Sequence, residues 1–347
     1  MTRPWRMPMR RHGPLVLLCA AVVTACSDDD PVPEPRPALV YLEASAARLV
    51  RVQADGSGKR VLYDGAEAAT LAPAPAPDGE NILFGTRADG GDITWRVVPA
   101  GGGPATTLAA PPGVVQPRWS PDGSLIAWYR DEGQGSIGIS SPGGTTFGTV
   151  TPAEWRVNNR MNWAPDNTGL AIERRLPGGD IDLYILTVGG ATLPISVGEH
   201  LDYGPGWSPD GSVVAFLRND LSDATSGIYT VKPDASDLRH VVTGRFFSEV
   251  HWSPDGNRLV TSRFAGPNLD YQLVIVDIAT GVVTPAFTPS TRWEYYANPW
   301  SPGARFLLET DENANGGYAV ITNDGAEGRR QVSPGDVDAT SPAWIPE

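Results

Sequence analysis

The hydrophobic and polar residues of this chain alternate over short runs, with a period near two rather than the period near 3.6 of a helix. Seven such runs predict strands, at residues 39–43, 81–85, 124–130, 169–174, 212–218, 258–264 and 305–309. Further alternating runs follow them, for example at 95–98, 182–186, 228–231 and 273–277. Together with 39 glycines and 33 prolines, this pattern predicts an all-β chain.

A turn motif, Trp-Ser-Pro-Asp-Gly, recurs along the strand pattern. It is complete at 119–123, 207–211 and 252–256, and degraded copies stand at 76–79, 163–166, 300–303 and 344–346. The motif prolines are residues 77, 121, 165, 209, 254, 302 and 346, so the steps are 44, 44, 44, 45, 48 and 44. Proline presets φ and glycine accepts a positive φ, so the motif predicts a tight turn between antiparallel strands. A period near 44 is typical of four-stranded propeller blades.

The number of blades follows from the length of the repetitive region. Residues 38–347 hold about seven periods of this length. The first strand, 39–43, has no motif before it, whereas 341–345 follows the pattern of a first strand with nothing after it. We therefore predict a seven-bladed β-propeller of four-stranded blades, closed by the C-terminal strand joining the N-terminal blade. Closing the ring in this way removes an open sheet edge.

These motifs resemble the TolB-type propeller repeat, known as the WSPDG family, over about residues 38–347. The resemblance implies the propeller fold. It implies no single activity, because members of the family include scaffolds, accessory domains of enzymes and a few lyases.

The N-terminal residues 1–25 have the composition of an export signal. Four arginines precede the apolar run 15–23, which is too short to span a bilayer permanently. The run ends in Val-Thr-Ala-Cys, which resembles the bacterial lipobox and predicts lipidation of Cys26. An ordinary cleavage site with an incidental cysteine is the alternative. Residues 26–37 are acidic and proline-rich and are predicted to form a solvated tether, and Ser27 resembles the sorting signal for the outer membrane.

The net charge of the chain narrows the class of partner. The full chain carries 27 basic and 40 acidic residues, and removal of four arginines with residues 1–25 leaves 23 basic residues and a charge of −17. A negative charge of this size disfavours binding of nucleic acid and of anionic lipid head groups, which are also negatively charged. We therefore expect contact with the membrane through the lipid anchor only.

Candidate binding residues lie in the loops that lead into the first strands, on the face opposite the motif turns. Aromatic residues alternate there with Arg, Asn and Glu, a mixture suited to recognising a sugar or a peptide by stacking and hydrogen bonds. Packing between the blades is the alternative role for these aromatic residues. The predicted binding residues are Trp155, Arg156, His200, Asp202, Tyr203, Phe246, Glu249, Arg292, Trp293 and Tyr295.

Catalytic and metal-binding motifs contribute little to the prediction. The sequence contains no nucleophile elbow, no zinc-protease motif and no phosphate loop. The histidines of the mature chain, His200, His240 and His251, lack ligand spacing, so neither a metal nor a cofactor is predicted. Residues 311–316 begin like a calcium loop, but Thr322 stands where the bidentate acid is required, so a hairpin turn is favoured.

The predicted function is that of a non-catalytic binding or scaffold module for a protein, peptide or glycan at the cell envelope. The alternative is a polysaccharide lyase or hydrolase that uses the propeller funnel. That alternative requires an acid or base and a charge-stabilising group in one cavity, and its candidates are Glu249, Asp202, His200 and Arg156.

Overall fold

The computed structural model describes residues 37–65, 67–88, 91–143, 147–220, 222–264, 271–286, 298–312, 318–324, 328–335 and 338–347. These residues form seven antiparallel sheets arranged as the blades of a propeller. Six sheets have four strands, and the seventh has three strands with an isolated bridge from Trp300 to Leu307 at the position of its innermost strand. The predicted all-β, seven-bladed propeller is confirmed.

The strands follow one another in chain order, blade by blade. Blade 1 contains β1 (Ala38–Glu43), β2 (Arg48–Gln53) and β3 (Arg60–Tyr63), with a short 3-10 helix at Ala44–Ala46. Blade 2 contains β4 (Ala68–Pro75), β5 (Asn81–Arg87), β6 (Ile93–Pro99) and β7 (Thr106–Thr107), and blade 3 contains β8 (Val114–Trp119), β9 (Ile126–Arg130), β10 (Ser136–Ser140) and β11 (Phe147–Thr149). Blade 4 contains β12 (Arg156–Trp163), β13 (Gly169–Arg175), β14 (Ile181–Thr187) and β15 (Thr192–Ser196).

The remaining blades repeat this arrangement. Blade 5 contains β16 (Asp202–Trp207), β17 (Val214–Arg218), β18 (Gly227–Val231) and β19 (Arg239–Thr243). Blade 6 contains β20 (Phe246–Trp252), β21 (Arg258–Phe264), β22 (Tyr271–Asp277) and β23 (Val283–Pro285). Blade 7 contains β24 (Phe306–Glu312), β25 (Tyr318–Asp324) and β26 (Gly328–Gln331), and the final strand is β27 (Ala339–Trp344).

The ring closes through the last strand, as predicted. Strand β27 pairs antiparallel with β1, with Leu39 opposite Trp344 and Val40 opposite Ala343. The Trp344 ring is buried in a cluster shared by blades 1 and 7, with its centroid 6.1 Å from that of Phe306. Because β27 occupies the innermost position of blade 1, it pairs with the edge of β1 that would otherwise be open.

The motif turns have the geometry that their residues predict. Gly123, Gly211 and Gly256 each have φ of 71°, in the left-handed region that glycine adopts without strain. In the first of these turns, the Gly123 N–H donates to the Ser120 carbonyl at 2.9 Å. The Asp122 carboxylate accepts from the Ser120 hydroxyl and from the Ser124 N–H. The turns are therefore closed by local hydrogen bonds on the motif face.

The motif tryptophans join each blade to the preceding one. In five of the six copies the indole N–H donates to a carbonyl of the preceding blade, at 2.9–3.1 Å. These five are Trp119, Trp163, Trp252, Trp300 and Trp344. Each bond satisfies the one polar group of a large apolar side chain, which explains why the motif repeats this residue.

The innermost strands bulge along the propeller axis before they reach the motif. The register shifts in β8, β12, β16 and β20, where extra residues oppose the neighbouring strand. Residues in the left-handed region mark several of these positions, namely Gln116, Gly204, Ser248 and, in β27, Ser341. Bulges redirect the backbone and the side chains. The innermost strands that line the channel are therefore less regular than the outer strands of each blade.

Candidate functional site

A cavity of about 540 Å³ lies on the propeller axis. All seven blades contribute to its wall through residues of or beside their innermost strands, among them Ala74, Arg118, Asn162, Gly206, His251, Asn298 and Ala343. Motif prolines such as Pro77, Pro209 and Pro254 line the cavity toward the motif face. A smaller cavity of about 250 Å³ shares Arg118 and Pro117 with it and includes the bulge residue Gln116. The volume and mixed lining are in the usual range for ligand sites.

The ionisable side chains of the cavity wall include those of Arg118, Glu249 and His251. Glu249 and His251 come from the same strand, and their Oε2 and Nε2 atoms are 3.9 Å apart. Burial lowers the pKa of His251, with Glu249 opposing this shift and Arg118 adding to it. His251 is therefore neutral at pH 7, and its buried Nε2 has no hydrogen-bond partner among the described residues.

A buried carboxylate supports the channel wall between blades 4 and 5. Glu173 is fully buried, and it accepts hydrogen bonds from the Gly204 N–H at 2.7 Å and from the Asn158 amide at 2.6 Å. An Arg160 nitrogen lies 3.6 Å from the same carboxylate. Burial raises the pKa of Glu173, and these three partners act against that rise. The carboxylate joins the bulge of its own blade to the bulge of the next.

Tyr203 extends this network toward blade 6. Its hydroxyl donates to the Phe246 carbonyl at 2.7 Å and accepts from the Asn219 amide. The Arg160 guanidinium lies over the Tyr203 ring, 5.3 Å from its centroid. Burial is the main reason why the pKa of Tyr203 rises to about 12, so the phenol remains protonated at pH 7.

Asp202 and His200 form pairs on the same side of blade 5. Asp202 is 1% exposed and accepts two hydrogen bonds from Arg218, from Nε and Nη2, each at 2.7 Å. The Ser196 hydroxyl donates to the same carboxylate. His200 is more exposed, and its Nδ1 lies 3.0 Å from Asp220 Oδ1.

The other predicted binding residues occupy separate environments. The Trp155 ring is 8% exposed and lies between Tyr184, at 4.6 Å between centroids, and the Arg174 guanidinium, 4.4 Å from the Trp155 centroid. Arg156 is exposed and donates to Gln134 at 2.9 Å. Phe246 is buried in an interblade cluster and is absent from the cavity wall. Arg292, Trp293 and Tyr295 lie outside the described residues.

The structure therefore brings together only part of the predicted set. Tyr203 contacts the backbone of Phe246, and Glu249 lies in the axial cavity. Of the four candidates for catalysis, Glu249 is the one that lines either cavity. The roles assigned to the remaining residues stay predictions, as does lipidation of Cys26, which lies outside the described residues.

The described residues contain no group of three or more His, Cys, Asp or Glu side chains that could hold a metal ion. They also contain no helix of sufficient length and hydrophobicity to cross a membrane. The calcium-loop-like segment 311–316 falls partly outside the described residues.

Comparison with known proteins agrees with this geometry. The family described as the TolB beta propeller domain matches residues 113–347. The chain belongs to this family. Among curated relatives of this TolB-type propeller, the uncharacterized protein Atu1656 of Agrobacterium fabrum is 25% identical over 197 residues, which are 55% of this chain and 64% of the relative. The chain spans less than two thirds of the length of the curated relatives that it matches first.

Solved structures place this TolB-type propeller among proteins of differing activity. TolB from Acinetobacter baumannii superposes with a TM-score of 0.55 at 16% identity, covering 90% of this chain and 67% of that one. An oligogalacturonate lyase in complex with manganese superposes with a TM-score of 0.64 at 18% identity, covering 86% of this chain and 84% of that one. At such identities the likeness concerns the fold alone.

Sequence reasoning missed several groups on the channel wall of this TolB-type propeller. Arg118, Asn162 and His251 all immediately precede a motif tryptophan, where the other copies carry Gly206, Pro299 and Ala343. This position could have been compared across the repeats, because most of its residues line the axial cavity. Glu173 gave no such signal, because its role depends on the bulge of the next blade.

Proposed function

We propose that this protein is an exported, lipid-anchored propeller that binds a protein, peptide or glycan at the cell envelope without transforming it. The observation that supports this proposal is the axial cavity of about 540 Å³, to which all seven blades contribute. Glu249, predicted from sequence as a binding residue, lies in its wall. In this proposal, residues 1–25 are an export signal, Cys26 carries the acyl anchor, and residues 26–37 form the tether.

Photo-crosslinking of the full-length chain in cells tests the binding role. A photoreactive phenylalanine analogue at Asn298, an exposed residue of the cavity wall, is expected to capture a discrete partner from the envelope. The matched control places the same analogue at Leu193, which is 50% exposed on the fourth strand of blade 4. Glu249→Ala in the crosslinking protein is expected to reduce capture. Equal capture from both positions, or capture from neither, contradicts a binding role for the channel.

The anchor is tested separately from the channel. Cys26→Ser is expected to block processing or to release the protein from membranes, because two or three acyl chains bind membranes far more firmly than one. Processing and membrane association that are both unchanged in this variant contradict the lipoprotein assignment but leave the role of the channel unaffected.

A second candidate function is that of a polysaccharide lyase or hydrolase acting in the channel. The observation that favours it is the proximity of the Glu249 carboxylate to the neutral imidazole of His251, in a cavity that also contains Arg118. Such groups can exchange protons with a bound substrate. Cleavage of a polysaccharide by the wild-type chain, lost in both Glu249→Gln and His251→Asn, would favour this function over binding alone.

A further inference from the structure

The smaller cavity, of about 250 Å³, lies beside the axial cavity and is lined by blades 1, 2 and 3. We refer to it as the side pocket. Three of its wall residues stand at the same position of successive blades, five residues before the motif proline, namely Ser341, Ala72 and Gln116. The side pocket is therefore bounded by the corresponding stretch of three neighbouring innermost strands.

The backbone of this stretch has an unusual conformation on both flanking blades. Gln116 has φ of 50° and Ser341 has φ of 53°, in the left-handed region that residues with a Cβ atom rarely adopt. Both precede a proline, Pro117 and Pro342, and the residue before a proline is biased toward extended backbone. Such conformations are concentrated at binding and active sites. The two bulges therefore single out the side pocket as a candidate ligand site.

Most of the residues that line the side pocket are apolar. Blade 2 contributes Leu71, the small residues Ala72 and Ala74, and the Trp95 ring. The Trp95 indole N–H donates to the Val114 carbonyl at 3.3 Å, so the polar group of this side chain is already satisfied. A dry apolar cavity of about 150 Å³ accommodates benzene. The larger volume of the side pocket is therefore sufficient for an aromatic ring with a substituent.

One hydroxyl group of the wall is available to a ligand. Ser341 is 9% exposed, and its hydroxyl has no hydrogen-bond partner among the described residues. The hydroxyl oxygen is not one of the unpartnered atoms that the described part of the chain fully encloses, so it faces open space. Because Ser341 belongs to the wall of the side pocket and not to that of the axial cavity, this space is the side pocket.

Gln116 supplies a second uncharged polar group. Its Oε1 is fully enclosed without a partner, but its Nε2, which also lacks a partner among the described residues, is not enclosed. Only the amide N–H is therefore within reach of a ligand. Arg118 also belongs to the wall, but its side chain is not available, because this residue already has an interaction partner. The polar groups that the pocket offers are thus a hydroxyl and an amide N–H, both neutral.

We propose that the side pocket binds a phenol, that is, an aromatic ring that carries one hydroxyl group. The ring matches the apolar wall and the volume, and a phenolic hydroxyl, which both donates and accepts, matches Ser341 and Gln116. This inference deepens the proposed binding function and rests on it, because the side pocket shares Pro117 and Arg118 with the axial cavity. A ring held there anchors a ligand of the channel. A free phenol and the side chain of a tyrosine both present this chemistry.

Two matched pairs of probes test the proposal on the full-length chain by ligand-observed NMR titration. The first pair is p-cresol and toluene, which differ in the hydroxyl group alone. One net neutral hydrogen bond corresponds to about fivefold in affinity, so p-cresol is expected to bind about fivefold more tightly. The second pair is acetyl-tyrosine amide and acetyl-phenylalanine amide. A hydroxyl preference in both pairs assigns a tyrosine side chain, and one in the first pair alone assigns a free phenol.

A serine variant tests whether the side pocket is responsible. Ser341→Ala is expected to lower the affinity for p-cresol about fivefold and to leave the affinity for toluene unchanged. Loss of the fold would instead reduce both. Ser262→Ala is the matched control, because Ser262 is also buried with an unpartnered hydroxyl but lies on blade 6, outside the pocket wall. The control is expected to keep the preference for p-cresol.

Three outcomes overturn the proposal. They are no binding of p-cresol, no preference for p-cresol over toluene, and a preference that Ser341→Ala leaves intact. Each differs from failure of the proposed function, which is measured by crosslinking of an envelope partner from Asn298. Capture of a partner without binding of p-cresol refutes the phenol site and leaves the binding function standing, whereas binding of p-cresol without capture does the reverse.

Discussion

The two ends of the innermost strands behave differently. At the motif end, turns are closed by their own Ser and Asp side chains, and tryptophans join the blades by one repeated hydrogen bond. At the opposite end, the strands bulge, and charged side chains such as Glu173 and Asp202 are buried in arrangements particular to one blade. The motif residues repeat from blade to blade because the same turn and the same interblade hydrogen bond are needed at each position of the ring. At the opposite end the buried side chains differ, because each blade packs against its neighbour in its own way.

Removal of the last repeat is expected to have the largest effect on the motif end. Deleting residues 341–347 removes most of β27 and the buried Trp344, whose indole donates to the Pro299 carbonyl. Loss of a large buried aromatic side chain costs about 3–5 kcal/mol, and the newly exposed edge of β1 favours aggregation. Chemical denaturation and light scattering measure the two effects. An unchanged unfolding midpoint would show that β27 does not close the ring.

At the opposite end of the strands, loss of a single buried charge is expected to lower the free energy of unfolding by a similar amount. Asp202→Ala leaves the Arg218 guanidinium, whose side chain is 9% exposed, without its carboxylate partner. Removing one member of a buried pair typically destabilises by about 3–5 kcal/mol. The double variant Asp202→Leu, Arg218→Met removes both charges and is expected to recover most of the loss. Urea denaturation of the three proteins measures the coupling, and a double variant no better than the single one contradicts the assignment.

The contrast explains what could be predicted from the sequence. The motif end repeats in register, so the turn, the blade count and closure by β27 were all predictable, because each depends on residues a few positions apart or one period apart. The contacts in and beside the channel wall were harder to predict from the sequence. Glu173 accepts a hydrogen bond from Gly204, in the bulge of the next blade, and the Arg174 guanidinium lies over the Trp155 ring. Such contacts depend on how neighbouring blades approach each other, which the local pattern of one strand does not specify.

His251 lines the axial cavity, and its backbone carbonyl accepts from the motif residue Trp300. It is expected to make the free energy of unfolding depend on pH. Burial lowers its pKa in the folded protein below the ordinary value of 6.5, so the unfolded chain binds the proton more readily. The free energy of unfolding is therefore highest above pH 6.5, where His251 is neutral in both states. It decreases as the pH falls below 6.5, with a slope of up to about 1.4 kcal/mol per pH unit.

Paired melting curves between pH 7.5 and pH 5 measure this slope. His251→Gln is expected to flatten the dependence on pH. The raised pKa of Glu173 contributes in the opposite direction, so the difference between wild type and variant, rather than the wild-type curve alone, isolates the imidazole. A slope that survives in His251→Gln would assign the effect to another group.

The smallest expected effect bears most directly on the comparison. Trp119 and Trp207 are both half-buried motif residues in the cavity wall, but only Trp119 donates its indole N–H, to the Ala74 carbonyl at 3.0 Å. Trp119→Phe removes that bond and leaves the carbonyl without its partner, for an expected additional loss of about 1 kcal/mol. Trp207→Phe removes an unsatisfied donor, so its stability is expected to exceed that of Trp119→Phe by about this amount. The contraction from indole to phenyl is common to both variants and cancels in the difference. Equal losses measured by denaturation would mean that the Trp207 N–H is satisfied in solution, as the indole N–H groups of the other motif tryptophans are.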